Sequence, residues 1–349
     1  MAFNAHLPGT MGGFIGVDIF FVLSGFLITT ILVQSHRSDL RIALKDFYVR
    51  RAFRLLPALS VLALFCVGYA LLIQAGDKTV DTLKGVGYTI LYVANWAQVP
   101  PNPPGIGPLS HAWSLSVEEQ FYIVWPIFLM ALLKLRRKLT VIAILAALIL
   151  ASAVYTAYLW DAKVSYFRMY FGSDTRAQEL LIGCVAGLLF YWSAVPREGR
   201  AKRAFHTVSV VAVLGIGLSI VLARYNEEFV YTGGFTLICL GTAALILDLV
   251  LFPSFLSRCF EVRPLVWVGK VSYGLYLWHY PIFEASKRMF EGRISAVSYT
   301  IIGVAITVPV AAASYYFLEQ PLLRLGRRYT SVGATSYLLT PIPRAVEGA

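Results

Sequence analysis

Two adjacent carboxylates at the start of an apolar stretch are the residues from which chemistry can be argued first. Glu118 and Glu119 lie in the segment His111-Ala-Trp-Ser-Leu-Ser-Val-Glu-Glu-Gln-Phe-Tyr-Ile-Val-Trp-Pro126, and the apolar residues 127–133 follow at once. Ionisable groups at the mouth of a membrane helix are costly and usually serve a function. A helix here would carry four residues on one face: Ser114, Glu118, Tyr122 and Trp125. Glu119 would point elsewhere, and the structural alternative for the pair is capping of the helix N-terminus.

A third acid lies near the start of the first apolar run, in Gly13-Phe-Ile-Gly-Val-Asp-Ile-Phe-Phe-Val-Leu-Ser-Gly-Phe-Leu-Ile-Thr29. Helical spacing puts Asp18 on the same face as Gly25, where small residues let another backbone or a slender ligand approach. For Gly25 and its neighbour Ser24, plain helix packing is the favoured interpretation. Asp18 needs a partner or water in either case.

Three arginines, Arg50, Arg51 and Arg54, form a basic cluster just before the second apolar run. Guanidinium groups suit phosphate and pyrophosphate oxygens, so the cluster is a candidate site for a phosphorylated ligand. Topology signalling and contact with lipid headgroups explain such a cluster equally simply, and from physics alone they are favoured.

Two further segments carry candidates of less specific chemistry. Asp174 and Arg176 precede an apolar run, where capping and mutual pairing are at least as plausible as catalysis. Tyr276 and His279 share a helical face within a later run. A histidine inside a membrane is a functional candidate by default, although a hydrogen-bonded packing role is the equal alternative.

Cysteines and histidines show no metal-ligand spacing, so no metal site and no resident cofactor are predicted. The four cysteines stand singly in or beside apolar runs and are interpreted as small hydrophobic residues. His36 and His206 lie at the edges of basic loops, where we expect them to be solvated.

The elements that position these residues are membrane helices. Of the 349 residues, 58% are hydrophobic and 14% are charged, whereas a soluble domain averages roughly 25% charged residues. We predict an all-α, polytopic transmembrane bundle with about nine spans of bilayer length. They cover residues 13–34, 55–75, 119–135, 139–160, 177–193, 205–223, 230–252, 265–284 and 296–318.

The net charge of +11 is explained first by its distribution between the spans. Basic residues concentrate in loops 35–54, 134–138, 194–204 and 253–264 and after the last span, and the positive-inside rule places these segments in the cytoplasm. The C-terminus is then cytoplasmic and the N-terminus outside. Because residues 1–12 are too short to span a bilayer, a first helix is expected to be missing, which would raise the count to ten.

One membrane-embedded domain over residues 1–328 accounts for the apolar sequence, without internal repeats. Residues 329–349 lack periodicity and contain Pro, Gly and Ser, so we predict a disordered cytoplasmic tail. The proline-rich loop 99–110 is predicted to be stiff and non-helical and to deliver His111 to the membrane surface.

Taken together, the segments resemble the acyltransferase-3 family of integral membrane acyltransferases. Six blocks carry the resemblance in the family's order, from about residue 6 to residue 328: GGFIGVDIFFVLSGFLIT, FYVRRAFRLLPAL, HAWSLSVEEQFYIVWP, SDTRAQELLIGC, VSYGLYLWHYPI and YYFLEQPLLR. The resemblance implies a fold of ten helices, and we expect the first of them to be truncated in this sequence.

The resemblance implies transfer of an acyl group, commonly acetyl from cytoplasmic acyl-CoA, to a hydroxyl of a carbohydrate or lipid-linked glycan. His6 occupies the place of the family's essential histidine, Glu118 that of its acid, and Arg51 and Arg54 match the Arg-x-x-Arg pattern proposed to engage the donor. Such chemistry needs a base and an oxyanion stabiliser. His6 is the best base, since an unperturbed imidazole titrates near neutral pH, and Glu118 or Asp18 would orient it.

Two other classes of function stay open from the residues alone. Intramembrane acids and a histidine could form the polar pathway of a carrier or flippase for a lipid-linked sugar. The missing first helix would also fit an inactive scaffold. Of these three hypotheses, only the enzyme predicts consumption of acyl-CoA. In each case we expect a multi-pass protein of the cell membrane. The acceptor, the acyl length and the oligomeric state are not predicted by the sequence.

Overall fold

A computed structural model describes residues 11–35, 40–100, 105–195, 198–290 and 294–330. Regular structure in these ranges is helical throughout, which confirms the predicted all-α bundle. Seven helical stretches within them are long and apolar enough to cross a membrane: Met11–Gln34, Leu44–Leu72, Gly107–Leu133, Lys138–Asp161, Lys202–Leu222, Val230–Leu251 and Val297–Tyr329. Of the other two predicted spans, 177–193 becomes a 15-residue helix and 265–284 lies within a 28-residue one. The count of nine stays a prediction.

The helices follow the apolar runs, because a backbone inside a bilayer must satisfy its hydrogen bonds within its own segment. In chain order they are α1 (Ile15–Ser35), α2 (Leu40–Leu72), α3 (Asp77–Ile90), α4 (Ala94–Ala97), α5 (Trp113–Leu133), α6 (Lys138–Asp161), α7 (Tyr166–Phe171), α8 (Ala177–Tyr191), α9 (Gly199–Leu222), α10 (Phe235–Leu251), α11 (Phe255–Phe260), α12 (Arg263–Phe290), α13 (Ala296–Ala313) and α14 (Gln320–Gly326). Most of the predicted tail lies outside the described residues, and its first residue, Tyr329, stacks on Phe53.

Helices α1 and α8 run in parallel, with their backbones in direct contact. A Cβ added to Gly25 would lie 2.0 Å from the carbonyl oxygen of Leu180, and one added to Gly183 would lie 2.0 Å from that of Val22. Glycine at both positions lets the backbones touch, as small residues do between membrane helices. The packing role predicted for Gly25 is therefore confirmed.

Helix α3 supports the turn that leads into α5. Gly85 packs directly against the backbone of Ile106, and Gly107 adopts a φ of +57° that favours glycine. A 3-10 helix over Gly107–Ala112 then runs without a break into α5. The prediction of a non-helical loop over 99–110 is thus wrong for its last four residues, where Pro108 is tolerated in the first turn of the helix. Residues 101–104 lie outside the described ranges.

Candidate functional site

The carboxylate of Glu118 lies between α1 and α5, with 5% of the residue exposed. Two hydroxyl groups, those of Ser24 and Tyr122, donate hydrogen bonds to its Oε1 atom, and both residues are buried as well. Tyr122 is one helical turn beyond Glu118, as the helical spacing predicted, whereas Ser24 comes from the facing helix. Trp125, the next residue of this face, donates from Nε1 to Thr29 of α1 at 3.0 Å.

Arg51 of α2 completes the cluster. Its guanidinium binds Glu119, with 2.8 Å between Nε and Oε1, and its Nη2 lies 3.8 Å from Oε1 of Glu118. The guanidinium carbon is also 3.4 Å from the ring centroid of Tyr122. One cation thus faces two carboxylates and an aromatic ring in a place where the arginine side chain is only 17% exposed. A weakly solvated charge cluster of this kind is a candidate site for polar chemistry.

The arginines do not form the single surface patch that the sequence indicated. Arg51 and Arg54 are three residues apart on α2, yet Arg51 turns into the bundle and Arg54 is exposed. The buried glutamates explain the difference, because an unpaired carboxylate away from water is more costly than a desolvated ion pair. Arg51, which the sequence predicts at the cytoplasmic face, therefore contacts Glu118, which it predicts near the outer face.

Asp18 belongs to a second charge cluster and does not contact Glu118. Its Oδ1 atom lies 2.9 Å from Nη2 of Arg176, whose Nη1 lies 2.8 Å from Oε1 of Glu179. All three side chains are fully buried. Four aromatic rings surround the guanidinium, the closest being Phe235 at 4.2 Å. This geometry favours a structural role, because none of the three charged side chains is exposed to solvent or to a ligand.

Asp174 does not pair with Arg176, because the turn before α8 sends the two side chains to opposite sides. Arg176 enters the bundle, and Asp174 binds Arg168 near the surface through two hydrogen bonds of 2.8 and 2.5 Å. Partial burial opposes ionisation of Asp174, but the hydrogen bonds and charge of Arg168 outweigh it and hold the pKa of the carboxyl below its usual value. The pair orders a loop and offers no buried reactive group.

Ser114, Tyr276 and His279 do come together, and they meet a residue that the sequence did not single out as a site. The Tyr276 hydroxyl donates to the backbone oxygen of His111 at 2.8 Å and lies 3.0 Å from Oγ of Ser114. The imidazole rings of His111 and His279 are 5.2 Å apart between centroids. Proximity across α5 and α12 joins them, which no spacing along one segment could reveal.

Other predicted positions turn out differently. His206 is not simply solvated, because its Nδ1 lies 2.9 Å from Oδ1 of the buried Asp248. Ser24 packs between helices as expected and also binds Glu118. His6 and His36 lie outside the described residues. Within the described ranges, no three His, Cys, Asp or Glu residues lie close enough to hold a metal ion.

Comparison with known proteins gives the context of this geometry. The sequence model of a family described as an acyltransferase domain matches residues 2–316. A putative peptidoglycan O-acetyltransferase, YrhL, from Bacillus subtilis is 36% identical over 342 residues, which cover 94% of this chain and 53% of that protein. The peptidoglycan O-acetyltransferase OatA of Listeria monocytogenes is 34% identical over 340 residues, covering 93% of this chain and 54% of that protein.

The O-acetyltransferase OatA of Staphylococcus aureus is likewise 34% identical, over 326 residues. The chain spans about half the length of these curated relatives. No solved structure matches it.

Proposed function

The chain belongs to the acyltransferase-3 family, and from that premise we propose that it is a membrane enzyme that transfers an acetyl group from acyl-CoA to a hydroxyl of a carbohydrate or glycolipid acceptor. The observation that carries the proposal is the buried Glu118 carboxylate held between Ser24, Tyr122 and Arg51. The names of the relatives support acetyl as the group and a glycan as the acceptor.

The reaction is a nucleophilic substitution at a thioester. The acceptor oxygen attacks the acetyl carbonyl, the new C–O bond forms and the C–S bond breaks, and the hydroxyl proton passes through a base to the leaving thiolate. His6 is the proposed base, since a neutral imidazole can take the proton and return it. Glu118 is the proposed carboxylate that supports this base, and it is already desolvated and held by two hydroxyl groups.

The arginines divide the proposed donor contacts between them. Arg54 is exposed and can bind donor phosphates with its planar guanidinium, at an end of the bundle that we place in the cytoplasm together with the C-terminus. Arg51 lies deeper, beside Glu118, where its charge can stabilise the oxyanion that develops on the thioester carbonyl. Because Arg51 lies 3.8 Å from Glu118 and Arg54 follows it on the same helix, α2 connects the proposed donor-binding arginine with the proposed catalytic carboxylate.

The test is acetyl transfer in membranes that contain the chain, with radiolabelled acetyl-CoA as donor and an N-acetylglucosamine tetrasaccharide as acceptor. Because groups that assist proton transfer contribute about 10²–10⁴-fold, Glu118→Gln should lower the rate at least about 100-fold, and His6→Ala should lower it similarly. Glu261→Gln changes an exposed acid far from the site and should leave the rate unchanged.

Full activity of Glu118→Gln would refute the role of this carboxylate. Absence of transfer by the parent chain, with movement of a lipid-linked sugar across the membrane in the absence of donor, would establish the carrier instead. If the parent chain shows neither acetyl transfer nor movement of a lipid-linked sugar, the inactive scaffold is the remaining interpretation.

A further inference from the structure

His111 is buried in a way that ordinary packing does not explain. The residue is 8% exposed, and neither ring nitrogen makes a hydrogen bond of good geometry to a described residue, since the backbones of Pro108 and Leu277 offer only poorly aligned contacts. A buried polar group without a partner is destabilising, and such groups in native proteins call for a specific reason. A phenylalanine would fill the same space without that cost.

Aromatic residues of α12 fix the imidazole ring on several sides. The ring stacks on Tyr280, with centroids 5.3 Å apart and an interplanar angle of 22°, and it lies 5.2 Å from the ring of Tyr276. The backbone is held equally firmly, because the Tyr276 hydroxyl and the side-chain amide of Gln98 donate to the carbonyl oxygens of His111 and Ser110. The fold therefore orients the ring and leaves its nitrogens without a well-aligned hydrogen bond, which is the arrangement of a preorganised binding group.

His279 adds a second imidazole beside the first. Its Nδ1 lies 2.6 Å from the carbonyl oxygen of Tyr276, and since a carbonyl only accepts, the Nδ1 atom carries the proton. Nε2 of a neutral His279 is then an acceptor. His279, Tyr276 and Tyr280 are partly exposed, so a small polar group can approach the pair from the side of α12.

A polar row along α5 connects this pair with Glu118. Ser114 lies between them, bonded to Tyr276 and one helical turn before Glu118. His111 lies seven positions before Glu118 in the continuous helical stretch, which corresponds to roughly 10 Å at 1.5 Å per residue. A sugar bound at the histidine pair can therefore extend another of its hydroxyl groups towards Glu118 without displacing Arg51.

We propose that His111 and His279 form a binding site for the acceptor sugar, in which a hydroxyl other than the one that is acetylated donates a hydrogen bond to a ring nitrogen of His111. The inference rests on the proposed function, since it names where the acceptor binds. The ligand class is a sugar hydroxyl, because two neutral imidazoles bordered by tyrosine rings match the mixed polar and apolar face of a saccharide.

The first experiment measures binding and does not depend on catalysis. Membranes containing the full chain are treated with diethyl pyrocarbonate, which modifies unprotonated imidazoles, with and without the N-acetylglucosamine tetrasaccharide, and each histidine is quantified by mass spectrometry. His111 should be modified in the absence of the sugar and at least about fivefold slower at a saturating sugar concentration. His206, which is 40% exposed and remote, serves as the internal control and should react equally in both samples.

Failure to modify His111, or modification that the sugar does not slow, would overturn the inference. Protection without any acetyl transfer by the parent chain would support the acceptor site while refuting the proposed function, so the two failures are distinguishable.

The second experiment separates binding from packing. His111→Phe keeps a ring against Tyr280 and removes both nitrogens, so the KM for the tetrasaccharide should rise about tenfold, the effect of one lost hydrogen bond, while the KM for acetyl-CoA stays unchanged. A purely structural role predicts that the phenylalanine variant behaves like the parent, and that result would also overturn the inference.

Discussion

Removal of Arg176 should destabilise the protein more than removal of either of its acidic partners. Arg176→Met leaves Asp18 and Glu179 buried together without a cation, although both are fully buried in the parent. Breaking a buried ion pair from one side costs about 3–5 kcal/mol, and the lost contact with the ring of Phe235 adds about 1–2 kcal/mol. We therefore expect a loss of about 4–7 kcal/mol for this variant.

Asp18→Asn should cost much less, although it removes an equally buried charge. The parent cluster holds two carboxylates and one guanidinium, so the variant leaves one cation paired with Glu179 at 2.8 Å and removes the excess acid. An asparagine oxygen can still accept from Arg176, and the expected loss is about 1–2 kcal/mol.

The measurement is the midpoint of thermal aggregation of detergent-solubilised protein, followed by size-exclusion chromatography. Arg176→Met should lower the midpoint at least twice as far as Asp18→Asn. A triple variant, Arg176→Met with Asp18→Asn and Glu179→Gln, contains no buried charge and should recover part of the loss. Equal effects of the two single variants, or a triple variant below Arg176→Met, would refute the charge argument.

Two further predictions concern packing and pH. Gly25→Ala would place a Cβ 2.0 Å from the backbone oxygen of Leu180, so α1 and α8 must separate. The thermal midpoint should then fall by the equivalent of at least about 2 kcal/mol. Gly16→Ala is the control on the same helix: its Cβ would meet nothing within 4 Å, so its thermal midpoint should not fall. An unchanged midpoint for Gly25→Ala would contradict the close contact. The folded-state pKa of Asp174 is lowered, so the stabilisation from its pair with Arg168 is present above the unfolded carboxyl pKa and is lost as pH falls through the folded one. Stability profiles in acid should therefore be steeper for the parent than for Asp174→Asn, and superimposable profiles would refute this.

The sequence by itself determined the fold class, the family and the residues of one helix face. Apolar runs of bilayer length can only be helices when no water is available to satisfy the backbone, so an all-α bundle followed from composition. Within α5 the placement of Glu118 and Tyr122 on one face followed from the helical period, and the structure joins them by a hydrogen bond. The helical period alone determines which side chains of one segment share a face, so these positions can be predicted from that segment's sequence.

Only the tertiary structure decided which residues of different helices meet. Asp18 was predicted beside a catalytic base but pairs with Arg176, and Arg51 was predicted at a membrane face but binds Glu119 inside the bundle. His111 became a candidate only when α12 placed His279 beside it. Pairing of charges across helices depends on which faces are turned together, since the low dielectric between helices makes each buried charge take whichever partner the packing brings within reach.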